Sequence, residues 1–215
     1  MSARRHDTLA IRGVRIAAVI IAITFCFSHT AKAAEQHFRI DLDASEISVA
    51  VPEPLSSIRG DAVGKFRMIS CDIYQDPKRP PNDGANIWVE AVIDAASYRS
   101  GSSMRDDDVK SAVLDAKDFP TISFKGGSSW TDVKQTSDTS GSAVLKGQLM
   151  LHGQTRPFEV PVQVALSGDK LIANGEISFD YTDFGIKAPS MLGLKAGNIA
   201  KVSFHAVAIK APQGL

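Results

Sequence analysis

Histidines, acidic clusters and cysteines are the residues with which this chain could do chemistry, and none stands in a pattern that assigns a reaction. Beyond residue 33 the histidines are His37, His152 and His205. None has the His-Glu-x-x-His spacing of a zinc site, and no cysteine pair accompanies them. His152, next to Gly153, is the one candidate for hydrolase or isomerase chemistry with a nearby carboxylate; a hydrogen-bonded surface histidine is the simpler reading. No Gly-x-Ser-x-Gly elbow supports a serine nucleophile. Asp183-Phe184-Gly185 copies three letters of a kinase motif without the catalytic-loop or glycine-loop partners. Asp106-Asp107-Asp108 resembles a cation site, but three adjacent residues do not face one ion, and a solvated helix start explains them better. No glycine-rich phosphate loop is present. Catalytic residues, metal ligands and cofactors are therefore assigned to none, and the chain reads as a non-enzyme.

The first 33 residues set the compartment. Arg4, Arg5, Arg12 and Arg15 precede an apolar run from Ile16 to Phe27, and Ala31-Lys32-Ala33 supplies small residues for a signal peptidase. The run falls short of the roughly 20 residues that a spanning helix needs. The expectation is a cleaved signal peptide over 1–33, a periplasmic location, a single domain over 34–215 and no membrane span after processing. Cys26 is not a lipobox cysteine, because Phe25 before it is not small. Processing would leave Cys71 alone, read as a buried small residue in a strand; a lone thiol can instead pair two chains into a homodimer. Five cations against Asp7 give the first 33 residues a net charge of +4, so the neutral whole leaves 34–215 near −4. That balance excludes nucleic acid as an expected partner.

The elements that must position any site are strands. Apolar and polar residues alternate in Ile47-Val49-Val51, Gly64-Phe66-Met68, Ile87-Val89-Ala91-Ile93, Leu145-Leu149-Leu151, Phe158-Val160-Val162-Val164, Ile177-Phe179-Tyr181 and Val202-Phe204-Ala206. Successive strand side chains point to opposite faces, so each segment has one apolar and one solvated side. Pro80 to Gly84, Gly126-Gly127, Thr139 to Gly141, Gly153 to Pro157 and Gly168-Asp169 carry turn residues. Many one-sided strands with short loops describe an antiparallel meander that either packs on a second sheet or closes on itself, and closure removes exposed edges. The alternation slips between Met68 and Cys71-Ile73, which implies a bulge. Two stretches break the pattern. Residues 104–114 read as a short helix turning Val109, Val113 and Leu114 to the sheet, and Lys187 to Asn198 as a helical turn or a lid.

Closing the sheet brings together Phe38, Phe66, Met68, Phe124, Leu149, Phe158, Phe179, Tyr181 and Phe204. These nine would suit a long hydrocarbon guest; they would equally pack a filled core, and periodicity alone does not separate the two.

An ordered set of motifs resembles the YceI-like family of exported, lipocalin-like domains. It runs through Phe38-Arg39-Ile40-Asp41, Ala44 to Val49, Gly64-Lys65-Phe66, Ile93-Asp94-Ala95-Ala96-Ser97, Asp115 to Phe124, Gly147 to Pro157 and Asp183-Phe184-Gly185. The resemblance covers about residues 38–210 and departs from the commoner pattern at Ser70-Cys71. It implies an all-β, lipocalin-like extended antiparallel barrel, and an isoprenoid lipid, polyprenyl or quinone-like, as the barrel's guest. The alternative is a non-catalytic accessory protein of a membrane redox system whose barrel is filled and whose outer surface matters.

Overall fold

The computed structural model describes residues 36–52, 60–75, 86–129, 132–191 and 194–212. The expected signal segment with Cys26, the Pro80–Gly84 turn and Leu192 lie outside the described residues. Among the described residues no helix is long and apolar enough to cross a membrane.

The strands are β1 (Gln36–Ile40), β2 (Glu46–Val51), β3 (Ala62–Gln75), β4 (Ile87–Arg99), β5 (Thr121–Ser128), β6 (Lys134–Ser137), β7 (Ser140–Leu151), β8 (Gln154–Ser167), β9 (Lys170–Asp180), β10 (Ser190–Met191), β11 (Leu194–Lys195) and β12 (Ile199–Lys210). The order β2-β3-β4-β5-β7-β8-β9-β12 closes into an eight-stave antiparallel barrel, because β12 pairs with both β9 and β2. Closure leaves no open edge among these staves, the reason a chain of alternating strands prefers it to a flat sheet.

The stave between β12 and β3 is made of two pieces. β1 pairs with both at one end and β2 with both at the other. In the gap, Asp41 N–H donates to the Val207 carbonyl at 2.7 Å, while Val207 N–H donates to Ser45 Oγ at 2.9 Å. The Ser45 hydroxyl in turn donates to the Asp41 carbonyl at 2.6 Å. A side-chain oxygen thus replaces the missing ladder partner of a buried amide.

The expected slip in β3 is present as a register shift between Met68 and Ser70. A second irregularity was not legible in the alternation. Lys65 pairs with Arg99 and Arg67 with Asp94, so β4 bulges over Ala95–Tyr98. Short polar side chains close it: Ser97 Oγ accepts from Arg67 N–H at 2.8 Å, and Asp94 Oδ1 accepts from Ala96 N–H at 2.9 Å. The bulge turns Tyr98 inward, where it is buried.

Three readings of these segments need correction, while the short helix expected over 104–114 is present. Gly126-Gly127 is not a turn; both lie within β5, where Gly126 faces Gly147 of β7 and the strands approach too closely for a Cβ on either. The helical stretch is α1 (Ser103–Asp108) continued by a π-turn over Val109–Val113, with Val109, Val113 and Leu114 packed inward as expected. Asp106 is not solvated: it is buried and accepts from Ser100 N–H and Ser100 Oγ, both at 2.7 Å. Those bonds, the hydroxyl's first, hold its carboxyl below the usual range despite the opposing effect of burial. The segment after β9 is no helical turn at 187–198 but a two-strand ladder of β10 and β11.

Candidate functional site

Three apolar clusters lie inside the barrel and share members. Phe38 and Met68 belong to the first, with Ile47, Cys71, Ile73 and Ala208. Tyr181, with Leu114, Leu151, Phe184, Ile186 and Ala200, forms the second, and Phe66, Leu149, Phe158 and Phe179 pack against it. Phe124 belongs to the third, with Leu145, Val160 and Val162. Phe204 and Val89 pack on the first and third, and Leu149 and Phe158 on the second and third. All nine inward-facing residues read from the alternation are therefore linked in one apolar lane.

That lane is not tightly filled. Phe66, Leu149, Phe158, Phe179 and Phe204 point inward from regular strands, with exposed neighbours such as Lys65, Arg67, Glu159, Ser178 and Ser203 on the outside, yet they are only half-buried. Elsewhere in the barrel Phe184, Ile186 and Tyr98 are packed more closely and are buried. Ring pairs set the walls: Phe158 and Phe179 meet edge-to-face at 5.2 Å, Phe179 and Phe184 at 5.8 Å, and Phe66 and Tyr98 are tilted at 5.2 Å.

Tyr181 is the exception to its strand assignment. β9 stops at Asp180, and Tyr181 opens a 3-10 turn over Tyr181–Phe184. Asp180 accepts from Thr182 N–H at 2.9 Å and also bonds the Thr182 hydroxyl and the Asn198 amide. The Thr182 bonds, the hydroxyl's first, lead in holding the Asp180 carboxyl low. Tyr181 Oη donates to the Gly197 carbonyl at 2.8 Å, while burial and then the Asp180 charge push its phenol up. Gly185, at φ 77°, ends the turn in the left-handed conformation, and Phe184 is driven into the second cluster at 2 % exposure. The Asp183-Phe184-Gly185 letters are thus a turn and a plug.

The polar candidates are accounted for by structure. His152 does not precede the β7–β8 turn but lies in it at φ 50°, with its ring 4.6 Å from Phe119. His205 stays on the solvated face of β12 and bonds Asn174 across to β9 at 2.7 Å. His37 bonds Asp72 at 2.7 Å and stacks on Tyr74 at 4.6 Å. Cys71 is buried in β3 as expected, and desolvation, then the neighbouring Asp72 charge, pushes its thiol up to about 12. Among the described residues no three His, Cys, Asp or Glu side chains group as metal ligands. A cleft of about 390 Å³ over the β4 bulge has Phe66 in its lining and is rimmed by the exposed Lys65, Arg67 and Arg99. Its cations already bond Glu46, Asp94 and the Tyr98 carbonyl respectively, so the lane inside the barrel is the better candidate site.

Residues 38–208 match the YceI-like domain. The chain belongs to the YceI-like family. A UPF0312 protein of Vibrio cholerae serotype O1 is 29 % identical over 134 residues, which is 58 % of this chain and 64 % of that protein. One from Shewanella baltica is 27 % identical over 131 residues, with the same coverage. The chain thus spans just under two thirds of the length of these curated relatives. Among solved structures, Burkholderia cenocepacia BcnA superposes with a TM-score of 0.61 at 22 % identity, covering 78 % of this chain and 98 % of that one. A polyisoprenoid binding domain from Saccharophagus degradans, implicated in plant cell wall breakdown, superposes with a TM-score of 0.59 at 13 % identity, over 84 % and 100 %. At these identities the two structures establish the shared fold.

Missing from the sequence reading were Tyr98, brought inward by the unforeseen β4 bulge, and the glycines of the inner wall. The signal for the latter was available: Gly64 and Gly175 occupy positions that alternation assigns to the inside, where a filled barrel would carry a larger side chain.

Proposed function

We propose that this protein is a periplasmic carrier that holds an isoprenoid-type lipid, polyprenyl or quinone-like, along the apolar lane of its barrel. The observation that carries the reading is the half-buried state of Leu149, Phe158, Phe179 and Phe204, which face inward and yet leave surface for a guest. Each methylene moved from water onto such surface is worth about 0.8 kcal/mol, so a chain of several isoprene units binds without a strong polar anchor. The relative from Saccharophagus degradans, by its description a polyisoprenoid binding domain on the same fold, supports this ligand class. The same half-open rings argue against a filled barrel that serves only as a scaffold for a partner.

The test is native mass spectrometry of protein purified from a periplasmic fraction, followed by titration with geranylgeraniol and with a short-chain ubiquinone. A co-purifying lipid, or saturable uptake of one molecule per chain, is the expected result. Protein that emerges empty and takes up neither compound refutes the proposal. Cell fractionation that leaves the protein in the cytoplasm refutes its location.

A further inference from the structure

At three places on the inner wall a glycine leaves room for an aromatic ring. Gly64 of β3 faces inward between β2 and the β4 bulge, and the Tyr98 ring occupies the space into which a Cβ at Gly64 would project. Gly175 of β9 is the cross-strand partner of Phe204 on β12, and the Phe204 ring occupies its Cβ space in the same way. Phe124 repeats the arrangement within one strand, its Cζ 2.7 Å from where a Cβ on Gly126 would sit. Each of these rings packs against the wall at its glycine.

Their direction matters because the lumen is narrow. In the ring of eight staves β3 stands opposite β8, yet Phe66 of β3 and Phe158 of β8 pack against the same cluster. β4 stands opposite β9, and Val89 and Ile177 likewise share the third cluster. An eight-stranded barrel is just wide enough either to be filled by its own side chains or to hold one small guest. Ring orientation decides between those outcomes.

We propose that Gly64 and Gly175 are the specificity-determining positions of this lumen: by seating Tyr98 and Phe204 in the wall, they keep open a bore one hydrocarbon chain wide. This rests on the reading of the lane as a lipid site and adds to it the width of the guest. A flexible single chain fits such a bore; a rigid fused-ring lipid does not. The three atoms nearest an alanine Cβ at Gly64 all belong to the Tyr98 side chain, which packs on Phe66 and must then shift. Alanine at Gly175 would displace Phe204 and also crowd the Pro161 carbonyl.

The experiment titrates the full chain with geranylgeraniol and with cholesterol, reading bound fraction by native mass spectrometry and folding by thermal melting. Wild type should bind geranylgeraniol and exclude cholesterol. Gly64→Ala should weaken geranylgeraniol by roughly ten-fold or more, equivalent to about 1.4 kcal/mol, and adding Tyr98→Ala should restore it. Phe204→Leu, which leaves Gly175 intact, should admit cholesterol. Should Gly64→Ala fail to fold, Tyr98→Trp over the intact glycine replaces it, with the same loss expected. Folded variants that bind both compounds as wild type does, or wild type that takes cholesterol as readily as geranylgeraniol, overturn the assignment of the bore while leaving a lipid carrier intact. Wild type that binds neither removes the carrier reading itself, and this one with it.

Discussion

Ser45→Ala removes one oxygen at the gap between β1 and β2, and its cost follows from what that oxygen touches. The Ser45 hydroxyl accepts from Val207 N–H at 2.9 Å and donates to the Asp41 carbonyl at 2.6 Å. Val207 is only 7 % exposed, so water does not readily replace the lost acceptor. A buried amide left without a partner costs about 1–3 kcal/mol. Ser97 supplies an internal control with the same chemistry, since its hydroxyl accepts from Arg67 N–H at 2.8 Å and donates to the Asp94 carbonyl at 2.6 Å. Arg67 is exposed, water can substitute there, and Ser97→Ala should stay within about 0.5 kcal/mol of wild type. Urea denaturation of wild type and both variants measures the difference, read as a shift in midpoint at unchanged slope. At a domain of this size, each kcal/mol also moves the melting temperature by roughly 2–4 °C. Ser45→Ala at wild-type stability, or no more destabilised than Ser97→Ala, would refute the argument that burial of the amide sets the cost.

Three further outcomes follow from the same structure. Cys71 should resist aqueous thiol reagents in the native state and react on unfolding; and because its thiol is raised from 9.0 to about 12, stability should fall as pH climbs through that window, a loss that Cys71→Ala removes. Rapid native-state labelling would contradict this. The Asp106 carboxyl is held low by Ser100, so its contribution is present above the ordinary carboxylate range and disappears as pH falls through its depressed value. Melting curves of Asp106→Asn against pH should lack that acid-side decline, and an unchanged pH dependence contradicts the assignment. Phe124→Ala, at a site 9 % exposed, should cost about 3–5 kcal/mol, while Phe158→Ala on the half-open lane should cost clearly less. Equal losses in denaturant titrations would mean that the lane is filled.

The sequence by itself determined the strand character, the all-β class, the inward set from Phe38 to Phe204 and the β3 bulge at Met68. Those follow from local rules, since alternation at period two assigns a face to each side chain wherever a strand is regular. It did not determine where regularity fails through polar closure, as at Ala95–Tyr98 and Asp41–Ser45, because the Ser97 and Ser45 hydroxyls act on amides far away in the chain. Gly126 read as a turn for the same reason: only pairing with Gly147 makes a glycine useful inside a strand. Asp106 read as solvent-facing, and tertiary placement beside Ser100 buried it. Above all, periodicity placed the aromatics inside without saying whether they fill the barrel or line it. That distinction depends on ring orientation against glycines on the wall, a cross-strand steric fact that exists only once the sheet has closed.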